Sequence, residues 1–137
     1  MLTTFPSLLM FSFFIPTFIR ITVAAVFAYQ AVHHFKHKKA VAAELGDKIR
    51  IISHEMAVWA VGLLILAELV LAVLLFVGAW TQIAALLAVL GFGKMTLFKK
   101  KLPQYAPLAK LSYVLLMVMC ISLLFSGAGA FAFDLPL

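Results

Sequence analysis

Four apolar stretches, near residues 11–35, 56–77, 81–98 and 108–125, each approach the roughly 20 residues that an α-helix needs to cross a bilayer core of about 30 Å. Lipid offers no partner to a backbone N–H or C=O, so a chain that passes through it must do so as helices or as a closed barrel. The stretches are continuous, and far longer than the alternating ten-residue segments of a barrel strand, which selects helices. The fold expected is therefore all-α: a polytopic membrane protein, a four-helix transmembrane bundle, forming a single membrane domain over residues 1–137. Of the 137 residues, 66% are hydrophobic and only 12% charged, a balance foreign to soluble domains. The net charge of +6 would point to nucleic acid in a soluble chain, but here the lysines lie between apolar runs and line no polar face.

Those lysines orient the bundle instead. Lys36, Lys38, Lys39, Lys48 and Arg50 separate the first two stretches, and Lys99, Lys100 and Lys101 separate the last two. The short connection near Gly78 and both tails have no basic side chain. In a bundle with an even number of spans the first and third loops share a side, and the positive-inside rule makes it cytoplasmic, with both termini outside a bacterial inner membrane. Trp59 and Trp80 sit at the two ends of the second stretch, where indoles anchor a span. No basic segment precedes the first stretch, which argues against a cleaved secretory signal. Pro6 and Pro16 set the start of the first helix around Thr17. The 20-residue first loop, with Ala42, Ala43, Glu44 and Leu45 before Gly46, is expected to hold a short helical turn at the inner surface.

Ionisable groups inside a span cost about 2.5–3.5 kcal/mol on insertion scales, so each is a candidate site and needs a partner. Arg20 shares a helix face with Ala24 and Ala31, and Glu68 shares one with Ala60 and Ala72, so both should look into the bundle. Counted along antiparallel helices, both fall roughly 10–15 Å below the outer surface. They are read either as an ion pair that sets helix register or as the walls of a polar pocket opening outward. Asp134, past the fourth stretch, is a second candidate partner for Arg20. Tyr29 and Gln30 are candidate contacts for a lipophilic carbonyl.

Histidines cluster at the expected inner interface: His33, His34 and His37 close the first stretch, and His54 opens the second beside Glu55. His33 and His37 are one turn apart, and with His54 they form a weak candidate metal set that the adjacent lysines oppose. Otherwise no metal set is expected, and with no histidine at mid-membrane haem is not. Cys120 is read as a small packing residue. No phosphate loop, nucleophile elbow or metalloprotease motif occurs, so the catalytic residues are unknown and whether the chain is an enzyme stays open.

Three segments carry a family likeness: Arg20 leading to His34 and Lys36; Ala67-Glu68-Leu69 leading through Leu74 to Gly78, Thr81 and the Ala84-Ala85 pair; and the closing Gly127-x-Gly129-x-x-x-x-Asp134. In these the chain resembles the DoxX family of small membrane proteins. The resemblance implies a four-helix bundle whose family-like polar residues are Arg20, Glu68 and Asp134. It also implies a redox setting, since some relatives are subunits of thiosulfate:quinone oxidoreductase or associate with oxidative-stress partners. The chain departs from the family at Thr81-Gln82, where relatives often have Thr-Arg, and in its basic Lys99–Lys101 loop. The function expected is a membrane subunit of a quinone-linked redox system, with no intrinsic cofactor, quinone as the candidate ligand and a redox protein as the candidate partner. The alternative is a non-enzymatic bundle for partner binding, assembly or small-molecule permeation, in which self-association is a further candidate.

Overall fold

The computed structural model describes residues 14–48 and 53–126, and among these it is all-helical. The helices run α1 Phe14–Lys36, α2 Lys38–Lys48, α3 His54–Val77, α4 Thr81–Phe98 and α5 Lys110–Ser126. Helices α1, α3 and α4 are long and apolar enough to cross a membrane, and α5 is a shorter apolar helix of 17 described residues. Asp134 lies outside the described residues. Helix α1 begins before Thr17, with Pro16 in its first turn. This corrects the expected start: the first N–H groups of a helix have no partner within it, so proline costs little there.

Around the bundle, α1 packs on α3 and α5, and α4 closes the circle against α5 and α3. In lipid the apolar effect does not drive helices together, and close packing of small residues has to. The buried positions match this: Ala24, Ala31, Ala57, Ala72, Ala84, Ala85 and Ala88 lie inside, while Leu63, Leu66, Val73, Phe76 and Leu90 face outward. The small residues leave room for three rings at the centre. Phe27 stacks on Phe92 at 4.6 Å between centroids, and Tyr113 tilts onto Phe92 at 6.1 Å; such pairs add about 0.5–1.5 kcal/mol each beyond burial.

Two connections set the levels at which the helices meet. Between α3 and α4, Gly78 adopts the left-handed φ of 76° and the Ala79 N–H returns to the Leu74 carbonyl at 3.1 Å, a glycine-terminated helix end that reverses the chain at once. Between α1 and α2 the helix is interrupted only at His37, with little loss of hydrogen bonding: His37 N donates to His33 O, and Val41 N to His37 O, each at 3.0 Å. The inner loop therefore carries a full 11-residue helix and not one turn. Helix α2 lies along the first half of α3 and buries Val41 and Ala42 in the core with Ala57 and Val61.

Candidate functional site

The packing of α2 against α3 sets the depth of everything polar. Because α2 covers the first half of α3, the end of α1 meets α3 well along its length. Glu68 is the fifteenth residue of the 24 in α3, about 21 Å from that helix's start. There His34 Nδ1 lies 2.8 Å from Glu68 Oε2, and His34 Nε2 lies 2.8 Å from the carbonyl oxygen of Tyr105 in the α4–α5 loop. The His34 and Glu68 side chains are 0% and 3% exposed. The Tyr105 ring stacks along the imidazole at 5.8 Å. Burial above all, with Glu68 and Tyr113 nearby, pushes the Tyr105 hydroxyl up to about 12, so this loop phenol stays protonated at physiological pH.

These partners fix the protonation logic. A carbonyl oxygen only accepts, so His34 Nε2 carries a hydrogen and donates it to Tyr105. Nδ1 and Glu68 Oε2 then hold one proton between them. On nitrogen it makes an imidazolium–carboxylate pair; on oxygen it makes a neutral imidazole and a neutral carboxyl. Net charge is zero both ways, so the proton can shift without placing an uncompensated charge in lipid, the condition that makes intramembrane ionisable groups so costly.

One turn toward the start of α1, Gln30 continues the polar face. Its Nε2 lies 3.3 Å from the Tyr113 hydroxyl and 3.4 Å from Met95 Sδ. The Leu108 N–H also donates to the Tyr113 oxygen, at 3.2 Å. That oxygen therefore accepts twice and keeps its own hydrogen to donate. Two acceptors here, Gln30 Oε1 and Glu68 Oε1, are buried without a hydrogen-bond partner. An unmatched buried acceptor costs about 1–3 kcal/mol, so a pair of them in one region marks a place that donor groups would complete.

The site differs from the one read in the sequence. Arg20 and Glu68 are both buried, but Arg20 precedes His34 by fourteen residues on α1, about 21 Å along the axis. A guanidinium cannot reach across that distance, and the expected side-by-side pair is replaced by His34–Glu68. Tyr29 is 56% exposed on the outside of α1, so it separates from its neighbour Gln30. His33 and His37 stack on each other at 4.4 Å, His54 is exposed at the start of α3, and among the described residues no cluster of three or more ligand-type side chains could hold a metal ion. His34 is the residue that sequence reasoning left in the interfacial cluster. The signal was its four-residue spacing from Gln30 on the face that also carries Phe27 and Ala31.

Among known proteins, the family model described as DoxX matches residues 15–99, which takes in α1 to α4 and both members of the buried couple. No curated protein and no solved structure matches the chain.

Proposed function

We propose that this chain, which belongs to the DoxX family of membrane proteins, is a membrane subunit of a quinone-linked redox system in which His34 and Glu68 exchange a proton with a lipophilic carbonyl ligand. The observation that carries the reading is the 2.8 Å contact between the buried His34 Nδ1 and Glu68 Oε2, inside a bundle of apolar helices. The residues fit a quinone. Tyr113 has a hydroxyl hydrogen for a carbonyl, and the unpartnered Gln30 and Glu68 oxygens match the hydroxyls of the reduced form. When bound, a quinone supplies the electron acceptor, taking up two electrons and two protons. The chain's own part is to bind, to keep water out and to hold one of the two protons on the His34–Glu68 couple; the other proton comes from water at the membrane surface, and both electrons come from a partner protein.

Titration of the purified chain in nanodiscs with a short-chain quinone tests this. Saturable binding is expected, weakened about tenfold in Tyr113→Phe, the size of one lost hydrogen bond of about 1.4 kcal/mol. A chain that binds no quinone at any accessible concentration would leave the non-enzymatic bundle as the better reading.

The same reading sets the bundle in an inner membrane with its lysine loops inside. Lys48 Nζ of α2 donates to the Lys101 carbonyl, so the two basic loops share one end of the molecule, as the positive-inside rule requires of them. A reporter fused after Asp134 is expected to be active only outside the cell. Cytoplasmic activity would invert the whole arrangement.

A further inference from the structure

We propose that Glu44 of α2 is a positioning residue for the buried couple, fixing the Tyr105 carbonyl and, through it, the tautomer of His34 and the proton that His34 shares with Glu68. This rests on the reading of His34 and Glu68 as a proton site. Glu44 Oε2 accepts from two successive backbone N–H groups, Gln104 at 3.0 Å and Tyr105 at 3.2 Å. The next N–H, of Ala106, is turned back to the Leu102 carbonyl at 3.2 Å. In a trans peptide the C=O points opposite to its N–H, so with the Ala106 N–H held inside the loop the Tyr105 oxygen is directed at His34 Nε2, 2.8 Å away.

No regular helix holds this loop between Lys99 and Ala109; its i to i+4 bonds, Leu102 N to Phe98 O and Ala106 N to Leu102 O, are isolated and form no continuous ladder. A carboxylate from another helix takes that place, and its bonds are charge-assisted, hence stronger than neutral ones. Lys48, four residues further along α2, adds the second tie to the loop through the Lys101 carbonyl. The path from Glu44 through the N–H and then the carbonyl of Tyr105 to His34 and Glu68 thus joins the basic face of the protein to a group inside the bundle. Without Glu44 the two peptides that precede the Tyr105 carbonyl lose their tie to α2, the loop can move away from α1, His34 Nε2 loses its acceptor, and the tautomer with hydrogen on Nδ1 becomes accessible.

Nitrogen-15 NMR of histidine-labelled protein in lipid bilayers reads this directly, with the His34 signals assigned by their loss in His34→Gln. In the wild type, His34 should show a protonated Nε2 and an Nδ1 sharing its proton. Glu44→Ala should add a second His34 signal from the Nδ1–H tautomer. Glu44→Asp, whose carboxylate is one methylene too short to span both N–H groups, should do the same if the alanine variant does not assemble. Glu44→Gln, which keeps an acceptor at that distance, should restore the wild-type signal. A wild type whose Nδ1 shares no proton refutes the proton-site reading. A wild type that behaves as described, with His34 signals unmoved in the alanine and aspartate variants, overturns the role of Glu44 alone.

Discussion

Replacing His34 with phenylalanine is expected to lower folding stability by about 3–5 kcal/mol, the cost of stranding one member of a buried charged couple. The phenyl ring is larger than the imidazole, so no cavity opens and lost packing is not the source. Glu68, 3% exposed at the side chain and with its second oxygen already lacking a partner, would retain no hydrogen bond, and the Tyr105 carbonyl would lose its donor. Unfolding in mixed detergent–SDS micelles, followed by circular dichroism, measures the difference. The double variant His34→Phe with Glu68→Leu is expected to regain most of the loss, because it removes the stranded group along with its partner. If His34→Phe unfolds with the wild type, Glu68 does not depend on His34 and the couple is not a unit.

Glu68→Gln is expected to do the reverse, keeping the fold and removing the chemistry. The amide has the shape of the carboxyl, and its N–H can donate to His34 Nδ1 while Nε2 continues to donate to Tyr105. Stability should stay within about 1 kcal/mol of the wild type, the worth of one neutral hydrogen bond exchanged for another. No proton is left to transfer, however, and loss of a positioned proton carrier lowers a proton-linked rate by about 10²–10⁴-fold. Quinol formation in native membrane vesicles from cells whose sole copy carries the substitution gives the rate. A variant that folds and turns over like the wild type would show that Glu68 has a structural part only, and would favour the scaffold reading of the bundle. Taken together, the two substitutions separate stability from chemistry at one contact.

Much of the architecture is legible in the order of the residues. Continuous apolar runs admit only helices in lipid, and the lysines on either side of Ala42 and around Lys100 mark two loops that turn out to touch through Lys48. The inward direction of Arg20 and Glu68 accords with the alanines that share their faces, and both side chains are buried. The polar interior is legible only in part. Glu68 and Gln30 stand out as costly groups in apolar segments, whereas His34, next to His33 and Lys36, looks like an ordinary inner rim.

The cause lies in helix depth. Counting residues from an assumed interface assigns each helix its own depth scale, and the scales agree only if the helices start and stop at the same level. They do not. The last turn of α1 meets the fifteenth residue of α3 through His34, and α2 packs along the part of α3 before it. Periodicity and charge, properties of single segments, state that this chain crosses a membrane as helices, which faces turn inward and which loops lie together. The vertical offset between α1 and α3 depends on contacts between residues 34 positions apart, and on a loop peptide steered by Glu44. No local pattern encodes that offset, and it is what gives Glu68 a histidine as its partner in place of an arginine.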